Sequence, residues 1–287
     1  MRIDVGDARL YVEVVGQEWV VEDGSLHRRP PIVALHGGPG LDCLGLRYAL
    51  APLADSAQLI VPDQRGNGRS DQASPETWNL KTWAADIHVL AQTLGLERPI
   101  VLGISFGGFV AQQHAVSYPA SPRGLVLMST AARFPTPDEV VERFRRIAGD
   151  EAADAMRRHI DSPSPETMES VTRLCLPFYS WRTTPDPQFA ELEPHFIRSQ
   201  EVTLHWFEHA QRGLDLRAQL AAVDCPTLIL IGEHDPINPP TLGEEIASGI
   251  PDGLAELRIV PDAAHRILQD NPSFVLGAIR EFISRVA

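Results

Sequence analysis

The chain has 287 residues, enough for one large α/β domain or a domain carrying a modest insertion. Its 44% hydrophobic content suits a sizeable core, and 25 Lys+Arg against 38 Asp+Glu give a net charge of -13, which argues against nucleic acid or an anionic membrane surface as a partner. The N-terminus lacks an apolar stretch of signal-peptide type, and no window reaches the roughly 18 apolar residues of a membrane-spanning helix. Three widely spaced cysteines, Cys43, Cys175 and Cys225, read as inert core residues in a reduced, cytoplasmic setting.

In chain order, the first third reads as strands. Residues 9–15 alternate polar and apolar side chains, as a half-buried strand does. Segments 18–22 and 25–29 flank Asp23-Gly24, a two-residue hairpin signal. Short apolar runs follow at 31–35, 58–61, 99–102, 124–128, 226–231 and 255–260, without the alternation of half-exposed strands. Strands buried on both faces of a parallel sheet have this character. Leu80, Trp83, Ile87, Leu90, Ala91 and Leu94 recur at helical spacing between two of the runs, with Ser74-Pro75 upstream predicting the helix start. Repetition of strand, helix and strand implies a mostly parallel sheet with right-handed crossovers.

The pattern changes at Arg133. Up to Arg217 the chain carries helix-like stretches broken by prolines, with Val140, Phe144 and Ile147 forming one expected apolar face and Met168, Val171 and Leu174 another. We expect a core of residues 1–132 and 218–287, with residues 133–217 as a helical cap over the carboxyl edge of the sheet.

Gly103-Ile104-Ser105-Phe106-Gly107 matches the nucleophile-elbow pattern, with an apolar strand before it and a helix-compatible run after it. A serine hydroxyl needs a base to become a useful nucleophile. In the α/β-hydrolase order the base comes last, and His265 is the only histidine downstream of Asp235. Asp235, just past the run 226–231, is the candidate acid. Glu233 and Asp262 are nearby carboxylates, and residues 128–133, where a variant of the pattern puts the acid, contain none. Acyl transfer also needs N–H donors aimed at the developing oxyanion. Phe106 follows the nucleophile, and His36-Gly37-Gly38-Pro39-Gly40 is a glycine-rich loop after a strand, with Gly38 the expected donor and Gly37 next to it. No metal ligands and no cofactor are expected.

The loop 36–40, the stretch Asp63–Ser70, the elbow, residues 232–235 and the closing Ala264-His265 together resemble the prolyl aminopeptidase (proline iminopeptidase) group of α/β-hydrolases. The similarity spans nearly the whole chain outside residues 133–217. It implies an α/β-hydrolase fold with a mostly parallel eight-stranded sheet, flanking helices and an inserted helical cap. It further implies a Ser105-Asp235-His265 triad and hydrolysis of small-molecule or short-peptide substrates, often releasing an N-terminal residue. Strict members carry Trp after the nucleophile, where this chain has Phe106. An exopeptidase pairs the substrate ammonium with carboxylates, for which Glu201 and Glu208, seven residues apart on one expected helix face, are candidates. Asp63–Ser70 is expected to brace the floor of the site. An esterase or lactonase could use the same machinery, and a non-catalytic binding relative is the remaining class. Dehalogenases and epoxide hydrolases of this fold place aspartate at the elbow, which Ser105 disfavours.

Overall fold

The computed structural model describes residues 1–184 and 186–287. Among the described residues ten strands form: β1 (Arg2–Asp4), β2 (Arg9–Val15), β3 (Trp19–Glu22), β4 (Ser25–Arg28), β5 (Pro31–Leu35), β6 (Gln58–Pro62), β7 (Ile100–Ile104), β8 (Gly124–Met128), β9 (Thr227–Gly232) and β10 (Ala255–Val260). Eight of them make one sheet in the order β1-β2-β6-β5-β7-β8-β9-β10, while β3 and β4 pair as a separate hairpin about Asp23-Gly24. Pairing is antiparallel at β1–β2 and β2–β6 and parallel from β6 to β10. This is the α/β-hydrolase fold.

The central strands lack polar alternation because each face is covered. Val33, Leu35, Val101, Leu125, Leu127, Ile229 and Ile231 join one core cluster, whereas Ile32, Ala34, Ile100, Leu102, Val126, Met128, Leu228 and Leu230 join the other. At about 25 cal/mol per Å2 of apolar surface, such two-sided burial dominates the stability of the sheet. The cover consists of α1 (Leu44–Leu50), α2 (Leu80–Thr93), α3 (Phe106–Ser117), α9 (Pro240–Gly249), α10 (Ile267–Asp270) and α11 (Pro272–Val286). Between β8 and β9 lie α4 (Pro137–Ala148), α5 (Asp150–Asp161), α6 (Pro165–Leu174), α7 (Pro187–Leu192), α8 (Gln200–His205) and a π-turn at Trp206–Ala210. Thr136 caps α4 and Ser164 caps α6, each followed by a first-turn proline. A third, smaller apolar cluster around Val140, Phe144 and Met156 packs α4 to α6 together.

Two local expectations are corrected. Ser74-Pro75 opens only the short 3-10 turn Pro75–Thr77; α2 begins at Leu80, where the Asn79 side chain accepts the Thr82 N–H at 3.0 Å and provides the cap. Ile147 is exposed, because the buried stripe of α4 runs through Val140, Val141 and Phe144 and leaves Ile147 at its edge. The three-residue strand β1 also forms, too short for periodicity to announce. No helix among the described residues is long and apolar enough to cross a membrane.

Candidate active site

Ser105 stands between β7 and α3 with φ 52 and ψ -116, a left-handed conformation that costs a non-glycine residue about 1–3 kcal/mol. The turn is held by its surroundings: Ser105 N–H donates to Met128 O at 2.9 Å and Thr130 Oγ1 donates to Ser105 O at 2.9 Å. It is also sterically specified. A Cβ on Gly103 would lie 2.2 Å from Gly107 O, and one on Gly107 would lie 2.3 Å from Leu35 O. The Phe106 side chain is buried and meets Trp83 and Trp206 edge-on, each with centroids 4.9 Å apart, so an aromatic cluster anchors the first turn of α3.

The fold brings His265 and Asp235 to this turn. His265 Nε2 lies 3.0 Å from Ser105 Oγ, and its Nδ1 lies 2.8 Å from Asp235 Oδ2. A carboxylate oxygen only accepts, which puts the imidazole hydrogen on Nδ1 and leaves the Nε2 lone pair facing the serine hydroxyl. The Asp235 side chain is fully buried and that of His265 is 11% exposed, so the pair is shielded while the histidine keeps access to the cleft. Asp235 Oδ1 accepts the N–H groups of Ile237 at 2.8 Å and Asn238 at 2.9 Å, fixing the carboxylate plane. Of the other carboxylates considered, Glu233 lies half-exposed beside His234 at 3.7 Å, and Asp262 is exposed.

Several positioning groups gave no signal in the sequence. Asn238 Nδ2 donates to Ser129 O at 2.8 Å and ties the acid loop to the end of β8. Arg143 of α4 donates to the carbonyls of Pro236 at 2.8 Å and Ile237 at 3.1 Å; burial pulls its guanidinium below the usual arginine value. Asp270 accepts from the N–H groups of Ala264 at 2.9 Å, Trp181 at 2.9 Å and Arg182 at 3.1 Å, joining the His265 loop to the segment after α6. Tyr179 meets the His265 ring edge-on at 5.2 Å. These contacts link residues far apart in sequence, and their residue types alone carry no marker of the role.

The glycine loop packs against the nucleophile turn. A Cβ on Gly37 would lie 3.4 Å from Ser105 Cβ, and Gly38 has φ +121, a conformation that favours glycine. The N–H groups of Gly37, Gly38 and Phe106 have no acceptor among the described residues. The loop is braced from beneath. Buried His36 donates through Nδ1 to Gly37 O at 2.8 Å and accepts the Gln64 N–H on Nε2 at 3.0 Å, and burial lowers its pKa, so it stays neutral. Asn67 Oδ1 accepts the Gly40 N–H at 2.7 Å, and Asp63 accepts from Cys43 N at 2.7 Å and Arg69 N at 2.7 Å. Burial works to raise the Asp63 carboxyl, but its bonds from Arg69 outweigh it and hold the group below the usual range. The stretch Asp63–Ser70 is therefore a brace.

Glu201 and Glu208 are placed differently from the triad candidates. Glu201 is exposed on α8, and Glu208 lies in the π-turn with its carboxylate 3.7 Å from His209. The π-turn breaks the 3.6-residue period on which a shared face depends. Cys43, Cys175 and Cys225 are all buried, and burial pushes the Cys175 thiol up to about 11 and that of Cys225 to about 12. Among the described residues no cluster of three or more His, Cys, Asp or Glu groups is arranged to hold a metal ion.

The family described as alpha/beta hydrolase fold matches residues 30–272, and the chain belongs to that family. Within it, the chain is prolyl aminopeptidase-like. It is 26% identical over 284 residues to the proline iminopeptidase PfmaB of Pestalotiopsis fici, covering 96% of this chain and 99% of that protein. It is also 26% identical over 322 residues to epoxide hydrolase A of Mycobacterium tuberculosis, covering 98% of this chain and 96% of that one. Among solved structures, the proline iminopeptidase of Mycobacterium smegmatis superimposes with a TM-score of 0.79 at 24% identity, covering 100% of this chain and 98% of its own, a likeness of fold.

Proposed function

We propose that this chain is a serine hydrolase that cleaves a small ester or amide through an acyl-enzyme. The observation that carries the reading is the continuous line Ser105 Oγ, His265 Nε2, His265 Nδ1, Asp235 Oδ2, with steps of 3.0 and 2.8 Å. In this mechanism His265 takes the Ser105 proton as the hydroxyl attacks the carbonyl carbon. The tetrahedral oxyanion is received by the N–H groups of Phe106 and of Gly38, with Gly37 as the neighbouring donor. His265 then gives the proton to the leaving group, and water repeats the sequence to release the acid. Asp235 holds the tautomer and stabilises the imidazolium.

Two substrate readings follow. Release of an N-terminal residue, as in a proline iminopeptidase, is favoured by the relatives' names. It requires an anion for the substrate ammonium, the role assigned to Glu201 and Glu208; Glu201 is exposed and Glu208 lies beside His209, and neither placement adds support to that assignment. Ester or lactone hydrolysis needs only the triad and the donors. Residues 133–217 act as the cap in either reading. Labelling of Ser105 by a fluorophosphonate probe tests the hydrolase reading, and absence of labelling in folded protein would sink it. Turnover of aminoacyl-arylamides with free and blocked amines, against short acyl esters and lactones, separates the two. Equal rates for blocked and free amines would exclude the exopeptidase.

A further inference from the structure

The residue that follows the candidate base, Arg266, is a cation whose side chain has no partner among the described residues. Of the arginines that are not exposed, Arg29, Arg47, Arg65, Arg69, Arg123, Arg133, Arg143, Arg157, Arg258 and Arg280 each make a side-chain hydrogen bond or ion pair. The Arg266 guanidinium makes none to the described residues, although Arg266 is also partly buried. Its main-chain N–H donates to Tyr179 O at 2.9 Å, and Tyr179 in turn lies edge-on against His265. The titratable groups around the guanidinium are Glu193, Tyr179, Asp270 and Arg198. Glu193 faces Arg198 at 3.6 Å, and Asp270 is taken up by three N–H groups, so neither carboxylate closes on Arg266. The Tyr179 hydroxyl also has no hydrogen-bond partner among the described residues, and burial raises its pKa so that it remains a donor.

Neither the Arg266 guanidinium nitrogens nor the Tyr179 hydroxyl is among the buried polar atoms left without a partner, so both groups stay open to solvent and to a ligand. Tyr179 lies against the His265 ring and is among the groups nearest the guanidinium of Arg266, the residue that follows His265; one neutral and one charged donor suit the planar, singly charged oxygen pair of a carboxylate, which a guanidinium grips bidentately. We propose that Arg266 is a specificity-determining residue, and that the natural substrates are small esters or amides bearing a carboxylate close to the scissile bond, received by Arg266 with the Tyr179 hydroxyl. The proposal rests on the serine-hydrolase reading and goes beyond it in naming the substrate's charge.

The test compares kcat/KM for matched anionic and neutral substrates. One pair carries the charge on the acyl side: the 4-nitrophenyl monoester of a short dicarboxylic acid against the neutral alkanoate of equal length. The other carries it on the leaving group: 4-acetoxybenzoate against its methyl ester. The wild type should prefer the anionic member of at least one pair by tenfold or more. In R266Q that ratio should collapse towards one, a loss on the order of 10- to 100-fold for a charge-assisted hydrogen bond. R266K should restore part of it, and E193Q should leave it in place. No anionic preference in the wild type, or a preference that survives R266Q, overturns the proposal. Collapse in E193Q as large as in R266Q also overturns it, because Arg266 would then act through the cap. Fluorophosphonate labelling of Ser105 is run alongside. Labelling without anionic preference sinks this proposal alone, whereas its absence removes the hydrolase reading as well.

Discussion

Replacing Gly107 by alanine adds one methyl group at the point where the nucleophile helix crosses the glycine loop. The new Cβ would sit 2.3 Å from Leu35 O and 2.6 Å from His36 O. An ordinary carbon–oxygen contact is about 3.3 Å, so the overlap is roughly 1 Å against two successive main-chain carbonyls. Neither can rotate away: Leu35 is paired with Gly103 in the central sheet, and His36 is bonded to Gln64. Relief requires α3 and the end of β5 to separate. Overpacking of this kind costs about 3 kcal/mol, which lowers the melting temperature by about 5 °C for a domain of this size. The same shift parts Ser105 from the donors of the 36–40 loop, and about 1 Å of misplacement costs roughly 100-fold in rate. Thermal unfolding and the second-order rate of fluorophosphonate labelling measure the two effects. Gly277 supplies the contrast: it lies within α11, and no atom comes within 4 Å of its added Cβ. Gly277→Ala should stabilise the chain by about 0.5–1 kcal/mol through the unfolded state. A Gly107→Ala protein that melts and labels like the wild type would refute the reasoning.

Asp235→Asn keeps an oxygen for the Ile237 and Asn238 N–H groups but presents no second acceptor to His265 Nδ1. It should lower kcat on the order of 10^3- to 10^4-fold with an unchanged melting temperature, and a loss under tenfold would remove Asp235 from the role. Trp206→Ala empties the place of a buried ring packed on Trp83, Phe106 and Phe109 and should cost about 3–5 kcal/mol, read as a lower urea midpoint. His114 is fully buried and its pKa is lowered from 6.5 to about 4 by burial and by His88. The unfolded chain therefore binds the extra proton between those values, and stability falls as pH drops from about 6.5 to about 4, by up to roughly 3 kcal/mol. Urea midpoints at pH 7 and 4.5 should converge in His114→Gln relative to the wild type; an equal drop in both would exclude His114 as the source.

The strand runs of the central sheet were legible because burial on both faces leaves a local mark, an apolar run without alternation. The elbow was legible because Gly103 and Gly107 meet one another and the end of β5 at distances that admit no side chain. Order along the chain nominated Asp235 and His265, but order has no length scale. The 2.8 and 3.0 Å separations exist only because β9 and β10 lie on the same side of β7 in one parallel sheet. Local periodicity misled where something non-local intervened. Ile147 falls at the rim of the stripe that α5 and α6 cover, and the π-turn at Trp206–Ala210 takes Glu208 off the spacing that paired it with Glu201. Tyr179, Asp270 and Arg266 had no signal at all. Whether a polar side chain is satisfied, buried or left open to a ligand depends on what the fold sets opposite it. Turn chemistry and hydrophobic period are properties of neighbours in sequence; the partnership or isolation of a charge is a property of neighbours in space.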